Sequence, residues 1–292
     1  MLQAARLAPK LLDEAAPLVA AFLASELNED GGCADREGKS DLYYTAFALD
    51  ALVALRQELP LERVQGYLRR FGAGEELDLV HRASLVRCWA AFEGETREPI
   101  DSTLRASLLE ELETHRSADG GYAAKPGAES GTLYHAFLAA GVYQDLRADL
   151  PAAIDMGASF EALRAPDGGY ANSAGIPMGT TPATAAAAAL LRQFSLPVPD
   201  GVDEWLLAQR HPMGGFKAMP EAPIPDLLST ATALHALAAL GKTAGEAREV
   251  TLDFIDTLWT GRSFYGHWDD DSLDAEYTFY ALLALGHLAL SA

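Results

Sequence analysis

The chain has 292 residues, 49% of them hydrophobic, and 22 basic against 42 acidic residues give it a formal net charge of −20. A field of that sign excludes nucleic acid or an anionic membrane surface as the main partner, and no stretch is long and charge-free enough to span a bilayer. Two cysteines, Cys33 and Cys88, neither in a CxxC pair, rule out a disulfide framework, so a reducing cytoplasm is the expected location.

The start, "MLQAARLAPKLLDEAAPLVAAFLASELNEDGG", sets Asp13 and Glu14 ahead of an apolar run and lacks a cleavage site. It reads as an amphipathic helix, not a signal peptide. A loop beginning DGG at Asp30 follows, then the apolar segment "YYTAFALDALVAL". Next come the mixed segment "LERVQGYLRR" and a degenerate loop from Gly74, "GEELDLVHRASLVRCWAAF", which keeps only an Asp-Leu entry to its helix. After "STLRASLLEELETH" a second DGG loop opens at Asp119, and after "AAIDMGASFEALR" a third opens at Asp167 and runs into "TPATAAAAALLRQF". "VDEWLLAQR" precedes a loop that keeps GG, "PMGGFKAMPEAPIPDLLSTATALHAL" from Pro212. Last, "EAREVTLDFIDTLW" leads to "GRSFYGHWDDDSLDAEYTFYALLAL" from Gly261, where the glycines are gone but the aromatic remains.

Aligning the helix starts puts Thr45, Arg82, His135, Thr184, Thr230 and Thr278 at one equivalent position. Spacings of about 37 to 53 residues accommodate two helices and two connections per unit. Segments before the loops mix charged and apolar residues, as helices with one wet face do. Segments after the loops are rich in Ala and Leu, as enclosed helices are. Strand signals are too weak to support a sheet. Six outer and six inner helices therefore predict an all-α fold, a single α6/α6 toroid, or barrel, of six helical-hairpin repeats over residues 1–292. Its inner helices should start near Asp41, Asp78, Gly131, Thr180, Asp226 and Leu273, with Asp41, Asp78, Asp226 and Asp274 placed to cap them. The glycine pairs allow the sharp turn inward. All six loops then ring one end of the barrel.

Aromatic residues gather in the first turns of the inner helices: Tyr43, Tyr44, Phe47, Trp89, Tyr134, Phe137, Tyr277 and Tyr280. Ala183, Ala185, Ala187 and Ala233 provide small walls elsewhere. Either these residues grip a lipid-sized ligand or they fill the barrel. The acidic loop Asp270-Asp271-x-x-Asp274 has a spacing suited to Mg²⁺ against a diphosphate, and equally to a solvated, helix-capping loop. His81 and His135, at inner-helix starts, are the histidines best placed for function. His235 reads as a core residue, and His115, His211 and His287 as surface or loop residues. Lys125, Arg36, Lys217 and Arg262 are the few cations in the mouth loops.

The unit "GG-aromatic, polar loop, YT-x-x-AL-x-AL" resembles the prenyltransferase and squalene-cyclase repeat, and six units over nearly the whole chain resemble protein prenyltransferase β subunits. The loop carrying Gly120, Gly121, Pro126, Gly127, Glu129 and Tyr134 is the nearest match, and the resemblance implies a lipid-diphosphate site there. Departures are definite. Gly131 stands where the family has a diphosphate-binding histidine, Gly179 and Thr181 replace its zinc-binding Asp and Cys, and Leu228 or Ser229 replaces its zinc-binding histidine. No zinc is expected at that place; were zinc bound elsewhere, Asp78, His81 and His135 would be the ligands to suspect. The DxDD acid of class II terpene cyclases and the Gly-Cys-Gly-Glu-Gln thioester signature are absent too. A permuted match remains: Asp274-Ala275-Glu276-Tyr277-Thr278-Phe279 resembles the family's metal-binding "D-x-C-Y-S-F". Ring closure would bring Asp35, Asp41, Asp274 and Glu276 together as an all-oxygen site favouring Mg²⁺, Mn²⁺ or Ca²⁺.

The expected function is an isoprenoid-diphosphate-binding transferase without the usual zinc triad. Its expected catalytic residues are Asp274, Glu276 and His135, its substrate-binding residues Tyr44, Trp89, Lys125, Glu129, Tyr134, Phe137 and Tyr277, and its cofactor Mg²⁺ on Asp270, Asp271 and Asp274. Two alternatives stand beside it: a non-catalytic toroid that binds a lipid or isoprenoid, and a monodomain terpene cyclase using the acidic 269–276 loop. A helical partner subunit or a homodimer is the expected assembly.

Overall fold

Six times along the chain, a residue with a short polar side chain ends a loop and caps a helix. Asp41 accepts the Tyr43 and Tyr44 N–H groups, Asp78 that of His81, and Thr132 that of His135. Thr180, Asp226 and Asp274 do the same for Ala183, Ser229 and Tyr277. Each cap satisfies a backbone donor that the first helical turn leaves orphaned. The four aspartate caps are those expected from the sequence, and two threonines complete the set.

The computed structural model describes residues 1–92 and 100–290. Two short helices, α1 (Leu2–Ala5) and α2 (Pro9–Leu12), lead into the outer helix α3 (Ala16–Ser25). From there inner and outer helices alternate. Inner α4 (Leu42–Ala54) is followed by outer α5 (Leu61–Leu68), inner α6 (Leu79–Phe92) and outer α7 (Ser102–Glu113). Inner α8 (Leu133–Asp145), outer α9 (Ala153–Ser159), inner α10 (Thr181–Gln193) and outer α11 (Val202–Ala208) continue the series. Inner α12 (Leu227–Ala239), outer α13 (Arg248–Thr257) and inner α14 (Ala275–Leu290) end it.

Each inner helix packs on the next, and α14 packs back on α4, which closes a ring of six. The outer helices form the sleeve around it. The all-α toroid expected from the repeats is the fold observed. Across one end lies α1, packed on α14 and α4, where Gly286 leaves room for the Ala4 carbonyl.

The loops explain the sequence motif. Asp167 accepts the N–H of Gly169 (3.0 Å) and, twelve residues on, that of Gly179 (3.1 Å), so one carboxylate clasps both ends of its loop. Asp119 clasps Gly121 and Gly131 in the same way. The two glycines have separate jobs. Gly168 has φ +93°, which a side chain resists, whereas a Cβ on Gly169 would come within 2.5 Å of the Trp205 ring on the next outer helix.

The aromatic residue after the pair, or after Ser263 in the sixth unit, then turns into the core. Tyr122, Tyr170, Phe216 and Phe264 are buried, and each bridges back to the end of the preceding outer helix: Arg116, Arg164, Arg210 and Trp259 respectively. Inside, the N–H groups of Cys33, Tyr170 and Phe216 donate to the hydroxyls of Thr45, Thr184 and Thr230. That bond is the reason for a threonine four residues after the cap. In the degenerate second unit Arg82 takes its place and donates to the Gly74 and Leu77 carbonyls.

Counted from the caps, the third member of this series is Ala136, not His135. The alignment slips by one because it starts this helix at Gly131, whereas Thr132 caps α8. Sheet is confined to two-residue antiparallel pairs within loops, β1 (Cys33–Ala34) with β2 (Ser40–Asp41) and β3 (Phe216–Lys217) with β4 (Pro225–Asp226). Backbone bonds also join neighbouring units at the rim. The first amides of α8, α10 and α12, on Leu133, Thr181 and Leu227, donate to the carbonyls of Asn172, Ala218 and Gly266 in the following loops.

Candidate functional site

The ring encloses a cavity of about 320 Å³, within the size range of small-molecule sites. Its wall has two characters. Tyr43, Tyr134, Phe137 and Tyr280 form an aromatic side, and Ala183, Ala185, Ala186 and Ala189 of α10 form a smooth, small-residue side. A simple register selects these residues. Tyr43, Tyr134, Pro182, Leu228 and Glu276 each stand two positions after a cap, and all five line the cavity. One position later, a helix has turned by about 100°. That is why Tyr44 and Tyr277, expected in the wall, lie outside it. Tyr44 packs edge-on against Tyr43, and Tyr277 stacks with the Arg36 guanidinium 5.6 Å from its ring centroid.

Trp89 lies further along α6, half-buried against the core, and does not line the cavity either. Among the described residues its Nε1 has no hydrogen-bond partner. Lys125 and Glu129 are exposed on the 119–131 loop, away from the lining. His135 is half-buried, and its Nδ1 lies 2.7 Å from the Thr132 hydroxyl. Burial lowers its pKa below the ordinary histidine value. Of the ten candidate site residues outside the acidic Asp270–Asp271 pair, the structure brings Tyr134, Phe137 and Glu276 to one space.

Glu276 is the carboxyl group of the wall. The Tyr43 hydroxyl donates to its Oε1 at 2.6 Å across the seam between the sixth and first units. Burial raises its pKa, an effect the tyrosine hydrogen bond partly offsets. Removal from water penalises the charged form, so the protonated acid is favoured relative to an exposed glutamate. Tyr134 borders the opening, 38% exposed, and burial pushes its phenol up to about 12.

Asp274 is engaged otherwise. It is 2% exposed, caps α14, and accepts Arg36 Nε at 2.9 Å and NH2 at 2.8 Å. Asp270 accepts the Gly266 and Ser272 N–H groups and also pairs with Arg36 (3.3 Å). Asp271 is exposed and accepts the Ser272 hydroxyl.

This donor set does not fit a magnesium site, because one guanidinium occupies both inward carboxylates. The all-oxygen seam site fares the same way. Asp35 accepts the N–H groups of its own turn, Asp41 accepts from His81, and Glu276 accepts from Tyr43. Nor do Asp78, His81 and His135 form a metal set: His81 spends one ring nitrogen on Asp78 (2.9 Å) and the other on Asp41 (3.1 Å). Among the described residues, no group of three or more His, Cys, Asp or Glu side chains is arranged to hold a metal ion.

Two histidines differ from their sequence reading. His115, 5% exposed, bonds the Ala123 carbonyl through Nδ1, and His287 is 8% exposed. From the sequence His287 reads as a surface or loop residue. The covering by α1 and α2 that buries this part of α14 is not visible in a local pattern. Its partner His235 lines the cavity, and no sequence signal placed it there. Counting seven residues on from Leu228 along one helix face would have found it. Among the described residues, no helix is long and apolar enough to cross a membrane.

Comparison with known proteins agrees with this architecture. The family model of the prenyltransferase alpha-alpha toroid domain matches residues 9–105 and 184–291. Among solved structures, Candida albicans protein geranylgeranyltransferase-I complexed with GGPP superposes with a TM-score of 0.67 at 14% identity, covering 91% of this chain and 89% of that one. A type II terpene cyclase from Scytonema, in complex with geranylgeranyl dihydroxybenzoate, gives 0.60 at 14% identity and covers 97% and 98%. A protein from Actinoplanes gives 0.60 at 17% identity, covering 94% and 99%. No curated protein sequence matches the chain. At these identities the likeness establishes the fold.

Proposed function

The chain belongs to the prenyltransferase alpha-alpha toroid family, and on that premise we propose that it binds an isoprenoid in the central cavity and acts on it by proton transfer from Glu276. The observation that carries this is the wall itself. Rings on one side and alanines on the other suit a hydrocarbon chain, and a buried, hydrogen-bonded carboxyl group opens onto it. Both liganded neighbours hold a geranylgeranyl group, which makes the twenty-carbon chain the first to try.

The step is simple in its balance. The proton passes from the Glu276 oxygen not engaged by Tyr43 to one carbon of a C=C bond. The π pair becomes the new C–H bond, and the other carbon becomes cationic. Glu276 is left as a carboxylate, still accepting the Tyr43 hydroxyl. The faces of Tyr43, Tyr134, Phe137 and Tyr280 attract the cation through their quadrupoles, and the apolar wall keeps water from quenching it. Closure onto another double bond moves the cation to a new carbon, and loss of a proton from a neighbouring carbon, returned to the Glu276 carboxylate, ends the sequence.

Transfer of a prenyl group from its diphosphate is the second reading. It is favoured by the Pro126-Gly127-Ala128-Glu129 segment kept in the 119–131 loop and by the GGPP in the Candida albicans neighbour. Against it, the rim cation Arg36 is held by two carboxylates, and Lys217 donates to the Pro220 carbonyl.

Incubation with geranylgeraniol and geranylgeranyl diphosphate in deuterium oxide separates the readings. Proton-initiated chemistry gives a deuterated hydrocarbon skeleton, and Glu276→Gln should keep ligand-induced thermal stabilisation while losing turnover by about a hundredfold or more. Release of diphosphate with alkylation of an added thiol would support transfer. A Glu276→Gln protein as active as the wild type would remove the acid role, and no thermal shift with either ligand would remove the isoprenoid reading.

A further inference from the structure

At the far end of the cavity from Glu276 stands a polar atom that a plain hydrocarbon could not satisfy. His235 lines the wall nine residues after the Asp226 cap. That is seven residues beyond Leu228, or roughly 10 Å deeper along α12. Its Nδ1 lies 3.1 Å from Nε2 of His287 on α14, with the two rings tilted at 60° and their centroids 5.2 Å apart. Among the described residues nothing bonds its Nε2, and that atom is not sealed from solvent as a fully buried orphan would be. Thr232, the other polar side chain on this stretch of wall, has its hydroxyl turned back to the Leu228 carbonyl (2.7 Å).

Burial pushes the His235 imidazole down to about 3 and that of His287 to about 4. Both rings are therefore neutral at ordinary pH, and one hydrogen lies between them. If His287 donates it, His235 offers an Nε2–H to the cavity; if His235 donates, it offers a lone pair. A neutral oxygen satisfies at least one of these forms, and a hydroxyl satisfies both. An anion gains no ion pair from an uncharged ring and loses its hydration on entering, and the amino group of Met1, which also lines the cavity, is itself shifted by burial toward its uncharged form. A hydrocarbon end would strand the nitrogen without a partner.

We infer that the isoprenoid bound here carries a neutral oxygen, a hydroxyl or carbonyl, at its deep end, hydrogen-bonded to His235 Nε2, with His287 setting the tautomer. The inference rests on the isoprenoid reading of the cavity and narrows its substrate class.

Three probes with the same carbon skeleton test it by titration calorimetry: geranylgeraniol, the corresponding tetraene hydrocarbon and geranylgeranoic acid, each delivered from cyclodextrin. The wild type should bind the alcohol roughly tenfold or more tighter than the other two, as expected for one buried hydrogen bond made or lost. His235→Phe should bind alcohol and hydrocarbon alike, with the hydrocarbon affinity retained. In wild-type protein labelled with ¹⁵N-histidine, the His235 Nε2 resonance should shift with the alcohol and stay in place with the hydrocarbon, a readout independent of how well the variant folds. Equal affinity for alcohol and hydrocarbon in the wild type, or an unmoved resonance, would overturn the inference while leaving the cavity an isoprenoid site. Failure of all three probes to bind would instead bring down the underlying reading.

Discussion

His81 joins the first two units through its two ring nitrogens, one on Asp41 and one on Asp78. The Asp41 hydrogen bond, reinforced by Asp78, raises its pKa to about 9. The folded value exceeds the unfolded one, near 6.5. The clasp therefore contributes fully below about pH 6.5 and fades as pH rises through about 9. Thermal melts of wild type and His81→Leu should differ most near pH 6 and converge near pH 10; a constant difference across that range would show that His81 acts by packing alone. The two carboxylates that His81 holds were legible in the sequence as caps, because capping is local chemistry. Which side chains face the cavity was not legible. Tyr43 and Tyr44 are adjacent and alike, and only the rotation of α4 within the closed ring puts one in the wall and the other behind it. Asp274 and Glu276 divide the same way: the first ends up paired with Arg36, 238 residues away in the chain, and the second opens onto the cavity.

At the scale of the element, the clasped loop is the unit of construction. Asp167→Ala removes the carboxylate that holds Gly169 and Gly179, and should cost about 1–3 kcal/mol in chemical denaturation, as loss of hydrogen bonds to a charged group does. Asp119→Ala should behave alike. Lys39→Ala, which breaks only an exposed pair with Glu37 (75% and 74% exposed), should leave stability near wild type. Equal effects for all three would mean that the clasps are incidental. The helices and loops were readable because glycine pairs, caps and Ala-Leu runs act within a few residues. The slip at His135 shows the limit: Gly131 and Thr132 adjoin at the end of the loop, and only the hydrogen bond from the His135 N–H to the Thr132 hydroxyl fixes which of them is the cap. Contacts across the ring were invisible for a related reason. Arg87 of α6 bridges Asp50 of α4 (2.7 Å) and Asp145 of α8 (2.9 Å), yet each residue by itself reads as an ordinary helical charge.

For the whole molecule, ligand and fold are one thermodynamic system. A ligand at a hundredfold excess over its Kd adds about 2.7 kcal/mol to stability, so thermal melts report occupancy directly. Ala186 and Ala189 line the cavity and are only partly buried, so Ala186→Phe should fill space without straining the core. We expect its melting temperature to stay within a few degrees of wild type. Stabilisation by geranylgeraniol should be abolished, while ten-carbon geraniol still stabilises. Full stabilisation by the longer alcohol would show that it does not occupy the space beside α10. The rim bonds that run from Leu133 to Asn172, from Thr181 to Ala218 and from Leu227 to Gly266 are made by main chain alone. They read no side chain, so this part of the architecture does not depend on what stands at 134, 182 and 228. A library varied at those three positions should consist mostly of folded proteins that differ in the molecules they accept, which makes this ring a lock whose wards can be recut without rebuilding its case.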